Sequence, residues 1–225
     1  GLFLAFHYFL VTYINSTYLG KIISSQFVGL IYAIGALVNM IIILRMPKIL
    51  HRYGTYKTMM FISLLAIPTL LFLAFIKVPI IILIAFILHH ASTPVLLMCL
   101  DVSIEDYTAT KNIGKMRGFF LTIISIASII SPLIVGSFIA EYEGFEQIYA
   151  FSAHFMTLFL LTVWKNFKNI SSGVYKQIDI LKEIKEFWQK KDIRFIGVCN
   201  IILQFFFSWM IIYAPIYLIN VAGFT

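Results

Sequence analysis

The stretch PKILHRYGTYK, residues 47–57, gathers two lysines, an arginine and a histidine between two long apolar runs. Such a cluster stands out, because hydrophobic residues make up 61% of the chain and charged residues only 12%. A typical soluble domain carries about 25% charged residues. The stretch therefore indicates a polar loop that joins two apolar helices, and its positive charge requires an explanation.

Apolar runs of similar length recur along the whole chain, whose mean hydropathy is +0.95. A helix crosses the hydrocarbon core of a bilayer with about 20 mainly apolar residues. By that measure the candidate spans are residues 2–19, 26–44, 58–76, 78–100, 117–140, 146–164 and 195–219. None of them alternates apolar and polar residues as strands do. The sequence therefore predicts an all-α membrane protein with seven spanning helices.

The basic residues are divided unevenly between the two sides that these spans define. Of the 17 Lys and Arg residues, all but Lys21 and Lys77 fall in the second, fourth and sixth loops. An excess of Lys and Arg marks cytoplasmic loops. We therefore expect a protein of the plasma (inner) membrane with a cytoplasmic N-terminus. The net charge of +7 then reflects membrane orientation, and we predict no nucleic-acid partner.

The long sixth loop divides the chain. Its second half repeats apolar residues at helical spacing with lysines between them, which suits a helix lying on an anionic membrane surface. NISSG, residues 169–173, is a flexible break before that helix. We predict a six-helix bundle in 1–164, a cytoplasmic amphipathic linker in 165–194 and the first helix of a second bundle in 195–225. Since the chain begins with Gly and ends just after a span, we expect a fragment of a longer protein.

Six helices, a basic amphipathic linker and a seventh helix resemble the first part of a major facilitator superfamily carrier. In that family the loop between helices two and three follows the pattern G-x-x-x-D-R-x-G-x-x-K. The opening stretch matches it at Arg52, Gly54 and Lys57, with Pro47 in place of the first Gly and His51 in place of the Asp. The resemblance implies that Arg52, Gly54 and Lys57 form part of a cytoplasmic gate. The acid of that gate is missing unless His51 substitutes for it.

Other segments resemble the same family. MRGFF, residues 116–120, opens the fifth helix with an Arg-Gly pair that is frequent there, so Arg117 joins the predicted gate. SPLIVG is similar, through Pro132 and Gly136, to the helix-five motif G-P-x-x-G-G of drug/proton antiporters. YAPIYLINVAGF, residues 213–224, is similar to the end of helix seven. The resemblance implies a secondary transporter that moves a small organic solute by alternating access.

Polar side chains within the predicted spans are the candidate solute-binding groups, because such residues are costly at membrane depth. They lie on helices one, four and seven, and the three on helix seven are spaced four residues apart. The predicted site residues are His7, Asn15, His90, Asn200, Gln204 and Ser208. In the family these three helices line the central cavity, as the resemblance implies. For each residue alone, an interhelical hydrogen bond is the alternative role.

No Asp, Glu, Lys or Arg lies at mid-depth in the predicted spans. Carriers of strongly charged solutes need a counter-charge there, so we expect a neutral or amphipathic solute. Protons are a candidate coupling ion, carried by His90, because imidazole titrates near neutral pH. Neighbouring His89 and His90 point about 100° apart on a helix, so we predict no metal site and no cofactor.

Two other functions compete with transport. One is an intramembrane enzyme that uses histidine and Asp101 near the cytoplasmic surface; the other is a polytopic membrane protein that transports nothing. The sequence contains no HExxH, phosphate loop or nucleophile–His–acid set. We therefore predict no catalytic residues and no enzymatic activity, with the lipid bilayer and a small-molecule solute as the partners. Five further spans downstream would favour the carrier.

The charge distribution predicts which loops a reagent can reach from outside the cell. An impermeant thiol reagent applied to intact cells should modify Glu143→Cys and leave Lys182→Cys unmodified. The parent chain, with Cys99 and Cys199 in predicted spans, gives the background labelling. Labelling of Lys182→Cys but not of Glu143→Cys would mean that the protein has the opposite orientation in the membrane.

Overall fold

The structure, a computed structural model, describes residues 1–142, 144–168 and 180–220. Within these ranges the chain is helical and has no β-strand. The helices are α1 (Leu2–Thr12), α2 (Asn15–Ile22), α3 (Ser25–Phe75), α4 (Pro79–Tyr107), α5 (Ile113–Tyr142), α6 (Glu146–Phe167), α7 (Ile180–Gln189) and α8 (Lys191–Asn220). The prediction of an all-α membrane protein is confirmed.

Five of the helices in the described ranges, α3 to α6 and α8, are long and apolar enough to cross a membrane. The predicted run 2–19 is instead divided between α1 and α2, which are separated at Tyr13 and Ile14. Just before the division, the Thr12 hydroxyl donates to the carbonyl of Tyr8 at 2.7 Å. The single helix expected over 2–19 is thus two shorter ones.

The predicted runs 26–44 and 58–76 both lie in α3, whose 51 residues are interrupted at Gly54. An unbroken helix of that length would measure about 75 Å, far more than the ~30 Å of a hydrocarbon core. Gly54 has φ 76° and ψ 166°, a conformation essentially restricted to glycine. The break turns α3 into two spanning segments, and the opening stretch of the sequence lies at this turn.

The core lies where α3 packs against α4 and α6 and where α1 packs against α5 and α6. Large aliphatic and aromatic side chains fill it, among them Leu4, Leu70, Phe86, Tyr149 and Phe159. The helix α8 contacts α2 and α3 along one side, while α7 packs against α8. The core therefore joins α1 to α6 in one bundle, with α8 alongside it.

The division of the chain into bundle, linker and second bundle stays a prediction. The NISSG segment and the rest of 169–179 lie outside the described residues, as do residue 143 and the end of the helix-seven segment, 221–225. Within the predicted linker the structure describes α7, whose Phe187 ring contacts the backbone of Gly197 in α8.

The break in α3 predicts an asymmetric response to added methyl groups. Gly54→Ala should lower the free energy of unfolding by about 1–3 kcal/mol, because alanine must adopt a left-handed backbone there. Gly136→Ala is the control, since a Cβ at Gly136 in α5 meets nothing within 4 Å. Thermal unfolding of both variants in detergent measures the difference. Equal melting temperatures would contradict the special conformation of Gly54.

Candidate functional site

A cavity of about 420 Å³ opens between four helices, α1, α3, α4 and α8. Small-molecule sites in proteins commonly enclose about 300–1,000 Å³. The lining residues are mostly aromatic or small: Tyr8, Gly29, Tyr32, Ala33, Ala36, His90, Gln204, Phe205, Phe207, Ser208, Trp209, Ile211, Ile212 and Tyr213. No charged side chain belongs to this set. Three of the six predicted site residues meet here: His90, Gln204 and Ser208.

His90 reaches the cavity because its neighbours hold its ring in one place. The ring stacks on Phe86 with centroids 5.6 Å apart, and the ring of Tyr32 meets it at 5.2 Å and 76°. A Cβ at Gly35 would lie 2.8 Å from His90 Cδ2. Any larger residue at position 35 would therefore displace the imidazole, so this glycine of α3 allows His90 its close approach.

A proline, Pro94, lies inside α4 one turn beyond His90. Pro94 has no N–H and cannot donate to the His90 carbonyl as a helix requires. Next to this gap, Asn39 Nδ2 of α3 donates to the carbonyl of Ala91 at 2.9 Å. This bond joins α3 to α4 next to the residue whose ring lines the cavity.

On the opposite wall, α8 presents Gln204 and Ser208 one turn apart. Both side chains are exposed toward the cavity. Asn200, one turn earlier on α8, is also exposed but does not line the cavity. The hydroxyl of Tyr213 contacts Gly29 of α3 so closely that a Cβ there would overlap it. Glycine at position 29 thus lets α8 approach α3 at one end of the cavity.

His7 and Asn15 lie elsewhere, in the contact of α1 and α2 with α6. Tyr149 donates its phenolic proton to Asn15 Oδ1 at 2.7 Å. Ser152 Oγ donates to the His7 carbonyl at 2.9 Å, and His7 Nδ1 is also 2.9 Å from Ser152 Oγ. All of these side chains are buried. His7 and Asn15 were expected on one face of one helix; they lie instead on α1 and α2, and both contact α6.

The two hydrogen bonds of Ser152 determine the tautomer of His7. A hydroxyl has one proton, and that of Ser152 goes to the carbonyl, so His7 Nδ1–H must be the donor to Ser152 Oγ. The His7 ring then packs edge to face with His89, with centroids 5.0 Å apart. Adjacent His89 and His90 consequently serve different surfaces, the bundle interior and the cavity.

At the loop end of α4 and α5, Arg117 forms a forked ion pair. Its Nε donates to Asp101 Oδ1 at 2.8 Å, and its Nη2 donates to Asp101 Oδ2 at 3.0 Å. A third bond joins Nη2 to Glu105 at 3.1 Å. Bidentate Arg–carboxylate pairs fix geometry more strictly than other ion pairs. Arg117 thus ties the start of α5 to the end of α4.

The remaining predicted gate residues surround the break in α3. The Arg52 guanidinium lies 5.2 Å from the ring centroid of Tyr53, and Lys57 is exposed. Thr58 donates its hydroxyl proton to the carbonyl of Gly54 at 2.8 Å and so supports the turn. Sequence reasoning missed Thr58 and the two glycines beside the cavity. Only Gly54 was identified, because its spacing matched a known pattern.

Membrane-length helices around a neutral polar cavity are the architecture of a membrane transporter. The sequence profile of the Major Facilitator Superfamily matches residues 1–225, and the chain belongs to that family. Its members are generally transporters of small molecules across membranes. Comparisons with curated proteins and with solved structures find no match. The protein is thus an integral membrane protein of a transporter family.

The hydrogen bond between Tyr149 of α6 and Asn15 of α2 predicts that removing one hydroxyl lowers the stability of the fold. Tyr149→Phe should lower the free energy of unfolding by about 1–3 kcal/mol, because it leaves Asn15 Oδ1 buried without its donor. Tyr13→Phe removes a hydroxyl from an exposed ring and is the matched control. Thermal unfolding in detergent compares the two. An equal effect of both variants would mean that the Tyr149–Asn15 bond contributes nothing.

Proposed function

We propose that this chain is part of a secondary active transporter that moves a small organic solute by alternating access. One observation carries the proposal: His90 of α4 and the pair Gln204 and Ser208 of α8 line one cavity, although more than a hundred residues separate them in sequence. In carriers of this architecture, the solute site lies between two bundles that rock about it. Helix α8 would open the second bundle.

The chemistry of the lining supports a neutral or amphipathic solute. Tyr8, Tyr32 and Trp209 offer apolar ring faces, while His90, Gln204 and Ser208 offer neutral donors and acceptors. A strongly charged solute in such a site would lack a counter-charge, which is costly at low dielectric constant. Where transport is coupled to protons, His90 is the proposed carrier, because it is the titratable imidazole of the lining.

His7, Asn15 and Asn200 have indirect roles in this proposal. Through Ser152 and Tyr149, His7 and Asn15 fix α1 and α2 against α6, so that Tyr8 faces the cavity. Asn200 extends the polar face of α8 by one turn beyond Gln204. These residues set the position of the walls and do not contact the solute in this conformation.

We assign the gate to the loop ends of α3, α4 and α5. Gly54 and Arg52 lie where the two segments of α3 meet, with Lys57 one turn further on. Arg117 forms ion pairs with Asp101 and Glu105 of α4. Movement of α5 relative to α4 must therefore break these ion pairs, unless the two helix ends move together. On the proposed orientation, this end of the bundle is cytoplasmic, in the plasma (inner) membrane.

The competing enzyme hypothesis requires a reactive Asp101. Both oxygens of that carboxylate accept hydrogen bonds from Arg117, an arrangement that holds an acid in place as an ion-pair partner. This contact favours a structural role for Asp101 over acid–base catalysis. A protein that transports nothing would not require the lined cavity, so the transport assay below also tests that alternative.

The proposed contacts predict that cavity variants weaken solute binding. In the full-length protein, His90→Ala and Gln204→Ala should each raise the apparent KM about tenfold, the equivalent of about 1.4 kcal/mol for a lost polar contact. Uptake into cells or vesicles should be measured at several pH values with panels of neutral and amphipathic solutes. Loss of pH dependence in His90→Ala would identify it as the proton carrier.

Arg117→Gln is the matched control for these variants, because it lies at the gate and away from the cavity. It should lower turnover while the equilibrium affinity for the solute stays within twofold of the parent protein. A twofold change corresponds to about 0.4 kcal/mol of binding free energy. Unchanged kinetics in both cavity variants, for every solute transported, would remove His90 and Gln204 from the site. Absence of flux for every solute in the panel would contradict the proposal that the protein is a transporter.

A further inference from the structure

A second cavity, which we call the α3 groove, lies where the two segments of α3 approach the Gly54 turn. Its volume is about 510 Å³, and it shares no lining residue with the cavity between α4 and α8. Ile42, Met46, Ile49 and Tyr53 form one wall at spacings of three and four residues, so they lie on one helix face. Phe61 and Lys57 lie on the opposite wall, beyond the break.

The shape of the α3 groove suits a long apolar chain. The wall from Ile42 to Tyr53 is about 16 Å long at 1.5 Å per residue. Apart from Lys57, the lining is apolar or aromatic, with the small hydroxyl residue Thr58 near the turn. Phe61 and Tyr53 are exposed large rings at its edge. An extended acyl chain matches this length and chemistry better than a compact polar solute.

Apolar contact alone cannot select an occupant in a membrane, because the surrounding lipid is equally apolar. Selection must come from the charged mouth of the groove, which Lys57 lines and where the Arg52 guanidinium lies 5.2 Å from the ring centroid of the lining residue Tyr53. Residues 45–57 contain no Asp or Glu. Lys57 and Arg52 are both exposed, and Arg52 also lies over the Tyr53 ring, so both charges can meet a bound anion.

We propose that the α3 groove binds one anionic phospholipid, with an acyl chain along the Ile42–Tyr53 wall and its phosphate between Lys57 and Arg52. Basic pockets between spanning helices on the cytoplasmic side are suited to anionic head groups. The proposed orientation places this mouth at the cytoplasmic leaflet, where anionic lipids concentrate. Because the lipid would contact both segments of α3, it would bridge the Gly54 turn. The site does not depend on which solute is carried.

The test uses the full-length protein in phosphatidylcholine vesicles that contain brominated lipid, which quenches nearby tryptophan. All native tryptophans of that protein, which in this chain are Trp164, Trp188 and Trp209, are replaced by Phe, and Phe61→Trp places a reporter in the groove. Phe75→Trp, exposed at the far end of α3, is the control reporter. Brominated phosphatidylglycerol and brominated phosphatidylcholine are compared at equal mole fraction.

At Phe61→Trp we expect phosphatidylglycerol to associate at least fivefold more strongly than phosphatidylcholine. Each basic side chain near an anionic lipid contributes about fivefold, the equivalent of about 1 kcal/mol. Arg52→Gln combined with Lys57→Gln should abolish the preference, whereas Lys77→Gln, at the other end of α3, should leave it intact. The Phe75→Trp reporter should show no preference between the two lipids.

Three results would overturn the proposal. They are equal association of both lipids at Phe61→Trp, a preference that survives the double substitution, and a reporter that neither lipid quenches. The last would mean that protein, from a second copy or another part of this chain, covers the groove. Because Phe61→Trp could disturb folding, native mass spectrometry of the parent chain and of Lys57→Gln gives a second measurement. A phosphatidylglycerol adduct retained equally by both would also contradict the site.

Discussion

Hydrogen bonds between polar side chains of different helices help to fix how this bundle packs, because a polar group at membrane depth is costly without a partner. Tyr149 satisfies Asn15, and Ser152 bonds both the ring and the backbone of His7. Asn39 reaches the α4 backbone beside Pro94. Each of these bonds joins two helices that share few other polar contacts. The apolar packing fills the bundle, but these bonds determine which helix faces meet.

The same cost applies to the backbone at the Gly54 break and at the prolines inside helices, where a helical hydrogen bond is missing. The largest departure, at Gly54, lies in the charged stretch between two apolar runs, and the Thr58 hydroxyl donates to the Gly54 carbonyl there. At Pro94, inside α4, Asn39 donates to the neighbouring carbonyl of Ala91. Both places combine a residue that interrupts the helical bonding with a side chain that donates to a nearby carbonyl. The sequence PKILHRYGTYK can therefore carry both the orienting charge and the turn.

The spanning segments were predictable because hydropathy measures the energy that places a helix in lipid. The division at Tyr13 was not, because hydropathy averaged over a span does not register a local break within it. Periodicity grouped Gln204 with Ser208 correctly on one helix, whereas His7 and Asn15 lie on α1 and α2 and both face α6. It could not tell that the first pair meets a cavity and the second α6, since periodicity describes one helix and not its neighbours. The close approach of Gly35 to His90 could not be predicted for the same reason.

The two cavities are mechanically related through the helices that they share. The first half of α3 lines the inner cavity with Tyr32 and, further along, the α3 groove with Ile42 to Tyr53. Helix α4 contributes His90 to the inner cavity and Val95 to the groove, on either side of Pro94. Rigid helices transmit displacement along their length, whereas Pro47 and Gly54 in α3 and Pro94 in α4 are points where bending meets less resistance. A molecule that fills the groove therefore acts on the same two elements that hold His90 in the cavity wall.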